Sequence, residues 1–320
     1  MIKALAITGP TASGKTALSI RVAMELGCEI LSCDSMQIYE GMDIGTAKAT
    51  EEERRLVPHH LLDLVSPSEK FSAADYREIA LARAEEIASR GKIPLFVGGT
   101  GLYLDSLMRC ESSDVPKSDV GYRDQILKNI KTDEDKIALY ERLAAVDPIS
   151  AAKAHPNNLR RVIRALEIYE KTGKPKSYFD ELSKKVAPPI DITILTIDFR
   201  NRDLLYKRID ERVEIMYKEG LAREVLSLHE RGLLIPDTTA AQAIGYKEIV
   251  DAVTAGKTPE SAMDEIKQAS RNYAKRQLTW CRHYEGAKTI FADDECGLKD
   301  ADAFVLEGLN VLKEAYATKS

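Results

Sequence analysis

No apolar run in the 320-residue chain is long enough to span a bilayer, and the opening stretch Met1 to Thr8 meets a glycine too soon to be a signal peptide. Cysteine is scarce: Cys28, Cys33, Cys110, Cys281 and Cys296 form no close CxxC pair and leave an odd thiol. That excludes a disulfide framework and a zinc-ribbon arrangement, and places the chain in a reducing compartment, the cytoplasm. Positive charge is not in excess either. A formal net charge of −5 excludes sequence-independent nucleic-acid binding by sheer charge, because such binding scales with the number of phosphates neutralised. An RNA partner has to meet a local basic patch. There is no internal repeat or low-complexity tract. What is present is 44% hydrophobic and 30% charged residues, enough to bury a core as one large domain or two ordinary ones.

Short β-rich runs alternate with amphipathic stretches in the first third. Ile2 to Thr8, Glu29 to Cys33 and Ile93 to Val97 are predicted strands, separated by helices that begin at Lys15 and Ser72. The alternation predicts parallel βαβ units and an α/β fold. The helix from Ser72 to Arg90 places Ala74, Ile79, Ala80, Ala84 and Ile87 on a broad apolar stripe and stops at Gly91. From 114 to 190 strand signals vanish, and Pro116, Pro148, Pro156, Pro175 and Pro188-Pro189 punctuate charged helical segments. This stretch reads as an all-helical subdomain inserted between core parts 1–113 and 191–320. The run from Asp191 to Phe199 returns the chain to the sheet. Helices follow over Arg202 to Met216, Leu221 to Arg231 and Pro259 to His283, then a strand near Thr289 to Ala292 and a terminal helix.

Gly9-Pro10-Thr11-Ala12-Ser13-Gly14-Lys15-Thr16 matches G-x-x-x-x-G-K-[ST] between an apolar strand and a helix start, the context that motif requires. Backbone N–H groups of such a loop wrap phosphate oxygens, the lysine reaches an outer phosphate, and the Thr16 hydroxyl is suited to ligate Mg²⁺. The fold class is therefore a P-loop NTPase-like parallel sheet core with an inserted helical subdomain. The loop by itself does not say which phosphate compound binds. An ATPase ends a later strand with a carboxylate for Mg²⁺, yet Ile93 to Val97 runs into Gly98-Gly99-Thr100-Gly101. Small residues at that strand end are expected to leave room for a substrate chain, with Thr100 offering a hydroxyl.

Asp34 follows the second strand, and parallel sheets place ligands beyond the carboxyl ends of their strands. It is suited either to accept a proton from a nucleophile or to help hold the metal, and equally to cap a following short helix. Its nearness to the phosphate loop favours catalysis. Pro58-His59-His60 reads as a loop with a packing or hydrogen-bonding role, since adjacent histidines rarely converge on one ion and no partner ligands have suitable spacing. Arg208 and Arg212 share a helix face and either meet phosphates or pair with Asp210, Glu211 or Glu214. Two basic patches, Arg160-Arg161 with Arg164 and the stretch Arg271 to Arg282, look on charge alone like solvated helix faces.

The phosphate loop, Ser32-Cys33-Asp34-Ser35-Met36-Gln37, Pro58-His59-His60-Leu61 and Gly98-Gly99-Thr100-Gly101-Leu102-Tyr103 occur in the order seen in bacterial tRNA dimethylallyltransferases, and the chain resembles that family. The likeness continues through Asp147-Pro148, Asn158 to Glu167, Arg212 with Met216, Ile244-Gly245-Tyr246 and Ala274 to Trp280, covering most of the chain. It implies transfer of the five-carbon group of dimethylallyl diphosphate to N6 of the adenosine immediately 3′ of a tRNA anticodon, with release of diphosphate. Asp34 would take the N6 proton and Thr100 would hydrogen-bond the bridging oxygen. Lys15, Thr16, Mg²⁺ and Arg212 would stabilise the departing diphosphate. The target base would be flipped out of its stack. Expected RNA contacts are Asp34, Ser35, Met36, Gln37 and Thr100 at the base; Arg123, Asn158, Leu159, Arg160, Arg161 and Arg164 on the insertion; and Arg271, Lys275, Arg276 and Gln277 near the end. Tyr273 and Trp280 are suited to base stacking or, preferably, to the buried face of their helix.

The sequence departs from the family pattern at Cys281 and His283 after Trp280, and at Arg109-Cys110. The chain lacks a C-terminal zinc-finger extension of the kind seen in some eukaryotic relatives, which supports a bacterial-type form; a monomer is the default expectation, and no membrane partner is expected. The rival readings are an isopentenyltransferase for free adenine nucleotides, a P-loop small-molecule kinase using Asp34 as base for a hydroxyl, and a non-catalytic RNA-binding protein. The first would not need the insertion's arginines. The kinase is disfavoured by the missing strand-end carboxylate.

Overall fold

The computed structural model describes residues 1–109, 115–116 and 119–318. Cys110 and the expected boundary at 113 to 114 lie outside the described residues. The chain runs through β1 (Ile2–Thr8), α1 (Lys15–Leu26), β2 (Cys28–Ser32), α2 (Glu51–Leu56), β3 (His59–His60), α3 (Ala73–Ser89), β4 (Ile93–Gly98) and α4 (Gly101–Met108). Helices α5 (Val120–Asn129), α6 (Asp133–Val146), α7 (Pro148–Ala152), α8 (Leu159–Thr172) and α9 (Lys176–Ser183) follow. Then come β5 (Ile190–Asp198), α10 (Arg202–Glu219), α11 (Leu221–Glu230), α12 (Tyr246–Thr254), α13 (Met263–Cys281), β6 (Lys288–Phe291), β7 (Asp293–Asp294), β8 (Gly297–Leu298) and α14 (Ala301–Ala317). The chain divides into two compact units: Met1–Met108 with the chain from Ile190 onward, and Arg109–Pro189.

In the first unit the described residues form a six-stranded sheet in the order β3-β2-β4-β1-β5-β6, every pairing parallel, as the alternating pattern predicted. The central strand shows how period-two alternation fills both faces. Ala4 and Ala6 point into the core that also holds Tyr76, Ala80 and Ile87 of α3, while Leu5 and Ile7 point into the core that holds Leu18 and Val22 of α1 and Leu309 and Leu312 of α14. Thr8 of β1 lies level with Gly98 of β4 and Thr196 of β5. The chain leaves β1 for the phosphate loop and β4 for Thr100 at the same edge of the sheet, and Cys33 after β2 donates its N–H to the Val97 carbonyl at 2.8 Å. Three connections that carry site residues thus emerge side by side.

The fold corrects several local expectations. The buried stripe of α3 is Tyr76, Ala80, Ala84 and Ile87, whereas Ala74 and Ile79 are exposed, because the tyrosine ring stacks on Tyr103 at 3.9 Å between centroids and sets which face turns inward. His59 and His60 are not a loop but a two-residue edge strand paired with Ile30 and Leu31. They do have the expected hydrogen-bonding role: His60 Nε2 lies 2.7 Å from a Glu29 carboxylate oxygen that Arg90 also approaches at 2.9 Å. No short helix follows Asp34, since the next residues form turns.

The second unit packs α6 and α8 through Leu139, Leu143, Val162, Ile163 and Leu166. Buried Asp147 accepts from the backbone N–H of Ser150 at 3.0 Å and of Ser177 at 2.9 Å, tying the starts of α7 and α9 together.

Candidate active site

The loop between β1 and α1 has the backbone its sequence promised. Gly14 sits at φ 90°, where a side chain would be strained, and a Cβ on Gly9 would come 3.0 Å from Ile197 of β5. Within the loop the Ser13 hydroxyl is buried with no hydrogen-bond partner, a donor that fits a phosphate oxygen. Lys15 Nζ donates to the carbonyls of Gly9 at 3.0 Å and Pro10 at 2.7 Å. Burial, reinforced by the nearby Arg212 cation, brings the Lys15 ammonium down to about 8, against the opposing pull of Asp34. Burial also lowers the Arg212 guanidinium, and Asp34 again opposes the shift. Lys15 and Arg212, with Asp34, face a cavity of about 860 Å³ whose wall also carries Arg208, Arg276, Glu53 and Glu211; the two buried cations next to the phosphate loop suit a polyanion there.

The acidic and hydroxyl groups are held from the neighbouring strand ends. Asp34 Oδ1 accepts from the Met36 N–H at 2.9 Å, a local turn of the kind aspartate forms, in place of a helix cap. Thr100 Oγ1 accepts from the Ser35 N–H at 3.0 Å and donates to Ser35 Oγ at 3.3 Å, and the Thr100 N–H donates to the Cys33 carbonyl at 3.2 Å. Thr100 is thereby locked beside the Asp34 segment. The glycines around it do not leave room for a substrate chain. A Cβ on Gly98 would lie 2.1 Å from the Cys33 carbonyl oxygen, on Gly99 1.9 Å from Gln277 Nε2, and on Gly101 2.3 Å from the Trp280 ring. Protein groups already fill that space, so these glycines permit close packing of β2, β4 and α13.

The second half of the chain grips the loop. Arg208 Nε donates to the Ala12 carbonyl at 2.8 Å, so of the alternatives for this helix face it is the loop, not Asp210 or Glu214, that Arg208 meets. Those two carboxylates pair instead with Arg271 and Lys267, at 2.5 and 2.6 Å. Gln277, expected to touch RNA, is buried; its Oε1 accepts from the Thr11 N–H at 2.9 Å and its Nε2 donates to the Gly99 carbonyl at 3.1 Å. Gln37 is engaged in the same way. Its Oε1 accepts from Ser32 Oγ at 2.8 Å, while its Nε2 donates to the carbonyls of Thr46 at 3.2 Å and Ala47 at 3.1 Å. Both amides join protein segments rather than facing outward.

The remaining expected RNA contacts fall into two sets. In the first unit Lys275 and Arg276 are exposed on α13, with the Arg276 guanidinium 5.4 Å from the Tyr273 ring. Met36 is partly buried against the core, and Trp280 donates to Asp105 at 3.3 Å, which settles its preference for the packed face. Arg271 pairs with Asp210. In the second unit Asn158 caps α8, and Arg160 and Arg161 lie in its first turn, Arg161 exposed. Leu159 packs against the unit's core, and Arg164 pairs with buried Glu167 at 2.8 Å and donates to the Pro116 carbonyl, so both serve the unit's own structure. Arg123 is half-buried on α5. Among the described residues no cluster of His, Cys, Asp or Glu has metal-binding geometry, and no helix is long and apolar enough to cross a membrane.

A phosphate cradle at the carboxyl edge of a parallel sheet, a carboxylate and a threonine hydroxyl beside it, and no carboxylate at the end of β4 define an enzyme site for a phosphorylated substrate. A sequence model of the IPP transferase family matches residues 37–284, and the chain belongs to that family. It is 44% identical to the tRNA dimethylallyltransferase of Thermoanaerobacter sp. strain X514 over 294 residues, covering 92% of this chain and 93% of the relative. With the tRNA dimethylallyltransferase of Geobacillus kaustophilus it shares 48% over 282 residues, 88% of each chain. The solved tRNA isopentenylpyrophosphate transferase of Bacillus halodurans superposes with a TM-score of 0.70 at 42% identity, over 100% of this chain and 98% of that one. A eukaryotic dimethylallyltransferase acting on tRNA gives 0.74 at 33% identity, over 88% of this chain and 70% of its own.

Proposed function

We propose that the protein transfers the dimethylallyl group of dimethylallyl diphosphate to N6 of the adenosine immediately 3′ of a tRNA anticodon. In the reaction the bond between C1 of the donor and its bridging oxygen breaks, and the N6–C1 bond forms. The electron pair leaves with diphosphate, and the N6 proton passes to the Asp34 carboxylate. The exocyclic amine is a weak nucleophile whose attack builds positive charge, so a fixed carboxylate beside it lowers the barrier. Thr100, still held by the Ser35 N–H, turns its one hydroxyl proton from Ser35 Oγ to the bridging oxygen as charge grows there, and Lys15 and Arg212 neutralise the departing diphosphate.

The Thr16 side chain on the cavity wall would hold a divalent ion shared with substrate phosphates, as Mg²⁺ sites commonly need few protein ligands, while the orphaned Ser13 hydroxyl donates to a phosphate oxygen. Bound Mg²⁺ would supply further neutralisation of the leaving group. Arg160 and Arg161 on the helical insertion, with Lys275 and Arg276 on α13, take the anticodon stem in this reading. We expect a cytoplasmic monomer.

The observation that carries the reading is Thr100 locked to the Asp34 segment beside the phosphate loop, at a strand end where an ATPase would hold its metal carboxylate. The test offers Mg²⁺ and radiolabelled dimethylallyl diphosphate with an unmodified anticodon stem-loop in one reaction and AMP in another. Label in the RNA alone is expected. Label in AMP would install a nucleotide prenyltransferase instead, and label in neither would return the site to ATP and a kinase.

A further inference from the structure

The wall of the cavity that the phosphate loop lines also includes Gly45, Thr46 and Ala47, a stretch without regular secondary structure. Such a segment is ordinarily mobile unless its backbone groups are engaged. Here they are engaged by one side chain from a helix some 180 residues further along. Glu224, in the first turn of α11, accepts the N–H groups of Asp43 at 3.0 Å and Ile44 at 2.8 Å on Oε2, and that of Gly45 at 3.1 Å on Oε1. Oε1 also accepts from the Tyr246 hydroxyl at 2.5 Å. The Tyr246 ring fills the space where a Gly45 side chain would stand, with a Cβ there 2.5 Å from a ring carbon. Four donors converge on one carboxylate, an arrangement that only an anion with two acceptor oxygens satisfies.

The far end of the same stretch is tied to the catalytic segment. Gln37 Nε2 holds the Thr46 and Ala47 carbonyls, and Gln37 belongs to the turn over Ser35 to Ile38 that follows Asp34 directly and whose Met36 N–H donates to the Asp34 carboxylate. Buried Lys48 ties the same loop to its surroundings, donating to the Tyr39 carbonyl at 2.9 Å, to Asp43 at 2.6 Å and to Asp63 at 2.5 Å. A mechanical path thus runs from Glu224 through residues 43–47 and Gln37 to the segment that bears Asp34.

We infer that Glu224, with Tyr246 as its accessory, is a positioning residue that sets the orientation of the Asp34 turn for proton abstraction; this rests on the reaction proposed above. The inference separates the two ends of the site. The phosphate loop has its own supports in Arg208 and Gln277, so donor binding is independent of Glu224, whereas proton transfer is not.

Three measurements on Glu224→Gln test it. A glutamine presents an NH₂ to two of the four donors and cannot accept them. Its kcat for prenylation of the stem-loop should fall by about tenfold or more, with KM for dimethylallyl diphosphate within about twofold of the parent. Hydrogen exchange at the amides of residues 43–45 should quicken while that of residues 9–16 stays as before. Tyr246→Phe removes one of the four hydrogen bonds and should give a smaller kcat loss, of a few fold, which keeps the inference testable if Glu224→Gln fails to fold. A kcat within about twofold of the parent, a KM rise matching the kcat loss, or unaltered exchange at residues 43–45 would overturn it. Should the parent protein itself make no prenylated RNA, the reaction is wrong, and the exchange measurement still decides whether Glu224 holds this loop.

Discussion

The Gln277 side-chain amide donates to the Gly99 carbonyl at 3.1 Å at a place where a Cβ on Gly99 would stand only 1.9 Å from the donating nitrogen. The glycine and the glutamine therefore define each other: one leaves the space, the other closes it and reaches on to the Thr11 N–H of the phosphate loop. This small joint couples the ends of β1 and β4 through a helix from the far end of the chain.

Gly99→Ala should consequently displace the Gln277 amide and leave the Thr11 N–H and Gly99 carbonyl without their partner. A destabilisation of about 1–3 kcal/mol is expected in chemical denaturation, with prenyl transfer reduced alongside. Because both substitutions act on one joint, the double variant Gly99→Ala/Gln277→Ala should lose less than the sum of the single changes. Strict additivity would show that the two residues act independently.

Asp34→Asn keeps an acceptor for the Met36 N–H but removes the base. Prenyl transfer should fall about 10²–10⁴-fold while stem-loop affinity in a filter-binding titration changes little. Equal loss of binding and turnover would mean that Asp34 grips RNA rather than taking a proton.

Proton linkage offers a third check. Lys15 titrates near 8 in the protein rather than near its ordinary 10.5, so its charge is complete well below pH 8 and is lost as pH rises through it. Donor diphosphate favours the charged form and raises the value again. Binding should therefore take up a fraction of a proton that grows as pH rises from 7 to 9, measured by calorimetry in buffers of different ionisation enthalpy. Uptake that does not change over this range would remove Lys15 from the linkage.

The insertion's arginines should separate by environment. Replacing Arg160 or Arg161 with alanine should weaken stem-loop binding and reduce the salt slope by about one for each RNA phosphate that is no longer neutralised. Arg164→Ala should instead lower the thermal stability of the helical unit, since it leaves the buried Glu167 carboxylate short of a cation, and should leave the salt slope as it was.

Much of this molecule is local enough to read from the chain. The phosphate loop is legible because its glycines, lysine and threonine act through the backbone they belong to. The parallel sheet is legible because residues such as Leu5 and Ile7 alternate with Ala4 and Ala6. Asp34 stands where a strand ends, and position along a strand is itself a sequence property. The α3 stripe was less legible, because alanines and isoleucines surround that helix and only the Tyr76 stack on Tyr103 chooses among faces.

The chemistry is written along the chain: a phosphate cradle, a carboxylate after β2, a threonine after β4, and the motifs that mark the family to which the chain belongs. Tertiary structure alone decided which polar side chains are free to act and which hold the site together. Gln37 and Gln277 look like outward-facing contacts in the sequence, yet both are internal ties. Glu224 looks like an ordinary residue in a helix's first turn, yet it collects three backbone amides from about 180 residues away. The reason is physical. A catalytic residue type is selected by its own chemistry and shows in the sequence, whereas a supporting hydrogen bond depends on where folding brings an unsatisfied backbone group, and no spacing rule along the chain encodes that distance.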